Sequence, residues 1–255
     1  MAKHNIQIYP TPAELAIAAA QAFVNAARSA VARRGVFRVA LSGGSTPPAM
    51  HRALVSEALK DRVPWKRIEV FWGDERCVPP EHPDSNYRMA KETLLDYVPI
   101  PAHQIHPMPG NLEPQAAAIA YRQTLSRVFN AEDEIPVFDL ILLGMGPDGH
   151  TASLFPEHPL LKETQRWVAP VFNSPKPPPQ RITLTLPLIN AARHILFLVA
   201  GTSKTQALKA IFANEFLKTK AHPAGYIPPA ALVNPVQGDL RWLLDKAAAG
   251  EQGGR

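Results

Sequence analysis

The chain has 255 residues, and its 46% hydrophobic and 19% charged content excludes a largely disordered protein. Its one cysteine, Cys77, excludes an intramolecular disulfide and fits a reducing compartment, so we expect a cytoplasmic protein. The formal net charge of +5 suggests an anionic partner. Because the basic residues are scattered singly or in pairs, without a basic stripe, we expect no nucleic acid as partner.

The first predicted elements are a strand at residues 6–9 and a long helix. Thr11 suits the N-cap, Pro12 the first helical position and Glu14 a capping box, so the helix is expected to begin there. The apolar stretch over 12–32 is interrupted by polar side chains, which indicates an amphipathic surface helix and not a membrane span. We expect no secretory signal, since no apolar segment follows the first positive charge.

The rest of the chain alternates between predicted strands and predicted helices. The strands are expected at 36–41, 68–72, 138–143, 167–172, 181–186 and 194–200. The helices are expected from about 47, and over 85–97, 113–129, 203–213 and 239–249. This alternation predicts an α/β fold with three layers and a largely parallel sheet. No long linker interrupts it, so we expect a single domain over 1–250 and a frayed tail at 251–255.

Four polar or glycine-rich segments follow predicted strands, after Leu41, Trp72, Leu143 and Ala200. In an open parallel sheet, ligands bind beyond the carboxyl ends of the strands. The four segments are therefore expected to meet at one edge of the sheet and to form the functional site there.

The first of these segments is the glycine-rich turn of Ser42, Gly43, Gly44, Ser45 and Thr46, at the start of a helix. Its backbone N–H groups, with the helix N-terminus behind them, offer a site for an anion such as phosphate. No Gly-Lys-Ser/Thr sequence follows, which argues against a nucleoside triphosphate. The alternative is a plain tight turn before a capped helix.

The segment after Leu143 contains Gly144, Gly146 and Gly149 in the spacing of a dinucleotide-binding fingerprint. That fingerprint must open a long helix and lead to an acidic residue at the end of the next strand. Prolines soon after this segment break any helix, and no such acid follows, so we reject a dinucleotide site.

Asp148 and His150 lie in the same turn and form the predicted reactive pair. Histidine is the side chain best suited to moving a proton near neutral pH. The glycines around the pair would let a ligand approach closely. The alternative is a structural histidine, which is the commoner role for a lone histidine in a turn.

Further charged residues follow the other strands. Asp74 and Arg76, with a glutamate between them, form either part of the site or a solvated charged turn. Cys77 follows them and is interpreted as structural, because no residue that could act as its base is recognisable. Lys204 starts a helix, where it could contact phosphate or face solvent. Arg181 follows a proline-rich loop, where it could grip a phosphate with two hydrogen bonds. The nine histidines show no metal-ligand spacing, so neither metal nor cofactor is expected.

Taken together, these segments resemble the 6-phosphogluconolactonase family, within the wider group of glucosamine-6-phosphate isomerases. The matching stretches are 41–47, 72–76 with 84–88, 143–156, 181–187 and 201–204. The resemblance runs from about residue 6 to about residue 245. It implies a modified doubly wound, Rossmann-like sheet and a role in the oxidative pentose phosphate pathway. The implied substrate is a sugar-phosphate lactone, 6-phospho-D-glucono-1,5-lactone.

The resemblance also implies roles for particular residues. His150 and Arg76 match the catalytic residues of the family, and Asp148 and Asp74 are assigned beside them. The turn at 42–46, with Arg181 and Lys204, is implied to hold the phosphate. In the mechanism we expect, His150 takes a proton from water that attacks the lactone carbonyl, and Arg76 or backbone N–H groups stabilise the oxyanion.

Two other functions remain open. A glucosamine-6-phosphate deaminase is argued against by Phe155, since those enzymes carry a glutamate at that place, five residues after the histidine. A non-catalytic sugar-phosphate sensor would need a DNA-binding helix-turn-helix, and few residues precede the first predicted strand. We expect a monomer or weak homo-oligomer, without a membrane partner.

Overall fold

The computed structural model describes residues 5–212 and 227–251 of the chain. Its strands are β1 (Asn5–Tyr9), β2 (Phe37–Leu41), β3 (Ile68–Trp72), β4 (Asp74–Arg76), β5 (Leu140–Leu143), β6 (Val168–Val171), β7 (Arg181–Leu184), β8 (His194–Val199) and β9 (Asp239–Asp245). Its α-helices are α1 (Pro12–Arg34), α2 (Pro47–Leu54), α3 (Asn86–Thr93), α4 (Pro114–Phe129), α5 (Leu186–Asn190), α6 (Thr205–Phe212) and α7 (Lys246–Ala249).

A six-stranded sheet forms the centre of the fold, in the order β1-β9-β8-β5-β2-β3. Each neighbouring pair of its strands is parallel. All residues of β5 are buried, so both faces of the sheet are covered and the arrangement has three layers. The predicted α/β fold, with a largely parallel sheet in a single domain, is confirmed.

The long first helix is built as its sequence predicts. The Glu14 backbone N–H donates to the Thr11 side chain, and Gly35 ends the helix in a left-handed conformation at φ 75°. By length and composition alone, α1 could cross a membrane. In the structure, however, one of its faces is buried and packs against α2, β2 and β9. The apolar side chains on that face, among them Leu15, Phe23 and Val24, therefore belong to the protein core.

A second, smaller sheet was not predicted. The strands expected at 167–172 and 181–186 are present as β6 and β7, but they form an antiparallel sheet with β4 in the order β4-β7-β6. The chain crosses between sheets at Gly73: its N–H donates to Leu41 O at 2.8 Å, while its carbonyl accepts from Leu184 N at 2.8 Å. The segment at 74–76 is thus a separate strand and not the end of β3.

The predicted terminal helix over 239–249 is wrong for most of its length. Residues 239–245 form β9, which pairs in parallel with both β8 and β1, and only Lys246–Ala249 is helical. The apolar run of β9 fits either a buried strand or a buried helix, and the decision comes from the two neighbouring strands. Asp245 ends the strand and caps α7 by accepting from Ala248 N at 2.7 Å.

The other predicted helices have shorter bounds than expected. The helix over 85–97 stops at Thr93 and continues as a 3-10 turn at Leu95–Tyr97. The helix expected over 203–213 begins as a 3-10 turn at Thr202–Lys204 and becomes α-helical over Thr205–Phe212, with residue 213 outside the described part. Within the predicted domain 1–250, residues 1–4 and 213–226 lie outside the described part, as do residues 252–255 of the predicted tail.

Candidate active site

The four segments predicted to converge do meet, around a cavity of about 240 Å³ at the carboxyl edge of the parallel sheet. In the sheet, β2 and β5 are neighbours, with β3 on the far side of β2 and β8 on the far side of β5. The connection from β2 to β3 and the connection from β5 to β8 therefore run in opposite directions. Such a reversal opens a crevice between the two strands, and this is where the cavity lies. Every site residue expected from the sequence lines the cavity except Asp148, which contacts a residue that does.

The turn at 42–46 connects β2 to α2 and forms one wall of the cavity. Gly44 has a φ of 99°, a conformation that strains other residues, and a Cβ on Gly43 would overlap the amide of Asn86. The Ser42 hydroxyl is buried and has no hydrogen-bond partner within the described residues. A donor left unpaired beside a helix N-terminus is suited to an incoming anion.

Asp148 and His150 form a close pair, with 2.5 Å between Asp148 Oδ1 and His150 Nδ1. Partial burial raises the pKa of Asp148, but the hydrogen bond with His150 and the charges of His150 and Lys176 outweigh it and hold that pKa well below its ordinary value. An ionised carboxylate can only accept, so Nδ1 carries the proton. The Nε2 atom of His150 is then the basic nitrogen.

A tight turn presents the pair to the cavity. Gly146 N donates to His150 O at 2.9 Å, and Gly149 N donates to Gly146 O at 3.0 Å. A Cβ on Gly146 would overlap both the imidazole and the Asp148 carboxylate. No α-helix lies between β5 and β6, where every residue is described, which agrees with the rejection of a dinucleotide fingerprint.

Asp74 is buried at the floor of the cavity, where it accepts two side-chain hydrogen bonds. Ser153 Oγ donates to its Oδ2 at 2.7 Å, and Asn86 Nδ2 donates to its Oδ1 at 3.2 Å. This carboxylate therefore fixes two neighbouring polar groups of the site. Asn86 also lines the cavity and was missed as a site residue, although it falls in one of the stretches that carry the family resemblance.

Arg76 enters the cavity from β4. Its Nη1 donates to Asp84 O at 2.5 Å, while its Nε is buried without a hydrogen-bond partner in the described part of the chain. The neighbouring Glu75 points elsewhere and accepts from the backbone N–H groups of Asn86 and Tyr87, both at 2.8 Å. Burial raises the pKa of Glu75 against those hydrogen bonds. Glu75 thus stabilises the start of α3. The Nε–H group of Arg76 is left as a hydrogen-bond donor for a ligand.

Arg181 lines the cavity but has a different set of partners from the one expected. Its Nη2 donates to the carbonyls of Lys176 and Pro177 at 3.1 and 3.0 Å, and its Nε donates to Pro178 O at 3.0 Å. Only 4% of the residue is exposed. Burial, more than any neighbouring charge, lowers its pKa. These contacts occupy Nε and Nη2, and Nη1 lies 3.5 Å from Ser153 Oγ. The expected two-pronged contact with phosphate would have to compete with the loop carbonyls for these donors, and it stays a prediction.

Two lysines of the described part of the chain also line the cavity. Lys204 lies there as predicted, and burial together with the charge of Lys176 lowers its pKa. Lys176 was missed as a site residue because its proline-rich surroundings were interpreted only as a stiff loop. Its ammonium group lies 3.5 Å from Asp148 Oδ1. With Arg76 and Arg181, these lysines give the cavity a strongly positive lining that suits an anionic ligand.

Phe155 occupies the position at which the deaminases carry a glutamate. The residue is buried, its ring centroid lies 4.9 Å from that of His150, and the Arg181 guanidinium carbon lies 5.6 Å from its centroid. The side chain five residues after His150 is therefore an apolar ring beside the imidazole.

Cys77 is a half-buried residue close to the carboxylates of Glu113 and Glu75. Burial, followed by the charges of Glu113 and Glu75, raises the pKa of Cys77 to about 11, so its thiol is protonated and unreactive at neutral pH. Among residues 5–212 and 227–251, no group of three or more His, Cys, Asp or Glu side chains is arranged to hold a metal ion.

These features are those of a doubly wound α/β enzyme whose cavity suits a small anionic ligand. The chain belongs to the family described as glucosamine-6-phosphate isomerases/6-phosphogluconolactonase, whose profile matches residues 10–242. The family resemblance expected from the sequence is confirmed.

Named relatives and a solved structure agree with this membership. The 6-phosphogluconolactonase of Synechocystis sp. is 50% identical over 221 residues, which cover 86% of this chain and 86% of the relative. That of Homo sapiens is 42% identical over 246 residues, covering 96% of this chain and 92% of the relative. The structure of 6-phosphogluconolactonase from Trypanosoma brucei has a TM-score of 0.84 at 32% identity, over 98% of this chain and 99% of that one.

Proposed function

We propose that this protein is a 6-phosphogluconolactonase, an ester hydrolase that converts 6-phospho-D-glucono-1,5-lactone to 6-phospho-D-gluconate in the oxidative pentose phosphate pathway. The observation that carries the proposal is the Asp148–His150 pair beside a cavity lined by cationic side chains, with Phe155 against the histidine. The pair supplies a base, the cations suit a phosphate, and Phe155 removes the carboxylate that a deaminase would use.

The reaction begins with water activated by His150. Nε2 takes a proton from the water molecule as its oxygen bonds to the lactone carbonyl carbon, and Asp148 stabilises the imidazolium that forms. The carbonyl oxygen becomes an oxyanion, for which Arg76 is the candidate donor, since its Nε lacks a hydrogen-bond partner in the described residues. An oxyanion donor of this kind contributes about 3–4 kcal/mol.

The intermediate then collapses. The bond between the carbonyl carbon and the ring oxygen breaks, and His150 returns its proton to the departing ring oxygen, which becomes a hydroxyl group. The product is the open-chain acid, which ionises in water. In the described part of the chain, no serine or cysteine side chain forms a hydrogen bond with His150, so direct attack by water is favoured over an acyl-enzyme.

The phosphate is proposed to bind opposite the base. The turn at 42–46 supplies backbone N–H groups, and Ser42 has an unpaired buried hydroxyl in the described structure. Lys204 supplies a charge at the same cavity. Arg181 adds to the positive field of the cavity. Phosphate binding thereby fixes the lactone so that its carbonyl faces His150.

The cellular setting also belongs to the proposal. We infer a cytoplasmic enzyme that is a monomer or weak homo-oligomer, with neither membrane nor nucleic acid as partner. The single cysteine supports a reducing compartment, and the burial of one face of α1 argues against a membrane span. Light scattering of the purified protein and fractionation of cells that produce it test the two parts separately.

The discriminating experiment compares two reactions of the purified protein. Loss of the phosphorylated lactone is followed against its spontaneous hydrolysis, and ammonia release from glucosamine 6-phosphate is followed in parallel. We expect accelerated lactone loss and no ammonia, with activity that survives prolonged treatment with a chelator. Ammonia release without lactone hydrolysis would favour the deaminase, and activity restored only by added metal would refute the metal-free mechanism.

A further inference from the structure

Among the described residues that line the cavity, Lys176 is the one cation to which the mechanism above gives no role. It lies in the loop between β6 and β7, and its Nζ is 3.5 Å from Asp148 Oδ1. That same oxygen lies 2.5 Å from His150 Nδ1. The three side chains therefore form a chain from the loop to the proposed base, with Asp148 Oδ1 shared by both neighbours.

Three hydrogen bonds fix the backbone of Lys176 within its loop. Its carbonyl accepts from Arg181 Nη2 at 3.1 Å and from Ser174 Oγ at 2.8 Å, and its N–H donates to Ser174 Oγ at 3.2 Å. The prolines that follow it restrict the chain further. Because both the N–H and the carbonyl of Lys176 are hydrogen-bonded, the backbone position from which its side chain extends is fixed.

The position of the ammonium group has a consequence for Asp148. The terminal torsion of an aspartate is soft, and a carboxylate at a partly exposed site can rotate unless a second contact restrains it. About a third of the Asp148 side chain is exposed, at 32%. The His150 backbone N–H also donates to Oδ1, at 3.4 Å. The cation adds a charged contact to this oxygen, which restrains the rotation further and keeps the oxygen aimed at His150 Nδ1, and this in turn fixes the plane of the imidazole.

We propose that Lys176 is a positioning residue for catalysis: its ammonium group holds the Asp148 carboxylate, and through Asp148 it orients the His150 ring for proton transfer. This proposal rests on the proposed lactonase function. A different role, direct binding of the substrate phosphate, would also use a lysine at this cavity. The two roles differ in one respect, since only phosphate binding depends on the substrate's phosphate group.

The test compares 6-phospho-D-glucono-1,5-lactone with D-glucono-1,5-lactone, which lacks the phosphate. Lys176→Met removes the charge and keeps most of the side-chain length, and Lys176→Arg restores a cation. We expect Lys176→Met to lower kcat/KM about ten- to a hundredfold for both lactones by the same factor, as expected for a misplaced catalytic group. Lys176→Arg should recover most of the loss. Lys162→Met, at an exposed lysine outside the cavity, is the matched control and should be without effect.

A second readout does not depend on turnover. Hydrogen exchange of the His150 Nδ1 proton, followed by NMR, should accelerate in Lys176→Met and stay unchanged in Lys162→Met. An unchanged exchange rate, or a loss confined to the phosphorylated lactone, would overturn the positioning role. If the wild-type protein hydrolyses neither lactone while exchange accelerates as expected, the proposed function fails and the positioning of His150 by Lys176 stands.

Discussion

The imidazole of His150 lies against the α-carbon of Gly146, so closely that a Cβ at Gly146 would overlap the ring. The glycine is therefore required by the proposed base and by the Asp148 carboxylate beside it. Neither side chain can keep its place if this position gains even one carbon atom.

Gly146→Ala should consequently lower kcat by about a hundredfold, because the ring must move away from its catalytic position. The matched control is Gly73→Ala, at a glycine outside the cavity lining, where the nearest atom to the new Cβ would be Leu41 O at 3.6 Å. That contact is an ordinary one, so Gly73→Ala should retain activity. Steady-state kinetics with thermal unfolding of both variants check the prediction, and equal losses would contradict it.

Asp148→Asn should lower kcat by about a hundredfold or more and change KM much less. The amide is uncharged, so it stabilises neither the Nδ1–H tautomer nor the imidazolium formed during the reaction. Stopped-flow measurement of lactone loss against the spontaneous rate provides the values. Near-normal kcat in this variant would show that Asp148 has no catalytic role.

The pH dependence of the wild-type enzyme follows from the same carboxylate. The pKa of Asp148 is held below its ordinary value, so the group stays ionised as the pH falls through that value, about 4. We therefore expect no change in rate between pH 5 and 9 that is due to Asp148. The check is the pH–rate profile of His150→Asn over the same range, in which an acidic limb that persists would point to titration of Asp148 and contradict the assignment.

Lys204→Ala should raise KM for the phosphorylated lactone about ten- to a hundredfold, the equivalent of a charge-assisted contact worth about 1.5–3 kcal/mol. The unphosphorylated lactone should be affected much less. Lys209→Ala, at an exposed lysine of α6, serves as the control and should leave both substrates unchanged. Lys204 is not a phosphate ligand if both lactones lose equally.

Arg181→Lys should have the same kinetic effect as removal of the Lys176 charge. A single ammonium group cannot reproduce the three hydrogen bonds that Arg181 donates to the carbonyls of the 176–178 loop, so the position of Lys176 is no longer fixed. We expect kcat/KM to fall by a similar factor for the phosphorylated and unphosphorylated lactones. A loss concentrated on the phosphorylated lactone would instead support the phosphate grip expected from the sequence.

The sequence predicted the parts of the site that depend on local patterns. The turn at 42–46 and the Asp148–His150 turn each follow an apolar strand, and strand ends in a parallel sheet converge by geometry. The N-terminal cap of α1 and the buried strand β5 could also be predicted, because a helix start and a strand covered on both faces have characteristic local compositions.

The parts that sequence reasoning missed depend on pairing between distant segments. The sheet of β4, β7 and β6 is built from short strands whose partners lie far along the chain, and β9 becomes a strand because β8 and β1 flank it. The contacts of Arg181 with the 176–178 loop, and the approach of Lys176 to Asp148, follow from that second sheet. The sequence around Lys176 has no local pattern from which these contacts could be predicted.

The central claim, that His150 is the general base, is tested most directly by His150→Asn. Asparagine keeps a comparable size and some hydrogen bonding but lacks the titratable nitrogen, so the protein should fold while proton transfer fails. A positioned base contributes about 10²–10⁴-fold, or about 3–5 kcal/mol. We expect kcat to fall by that factor with KM little changed, and the acidic limb of the rate profile to vanish. A folded His150→Asn protein with near-normal kcat would contradict the account and make Asp74 the next candidate.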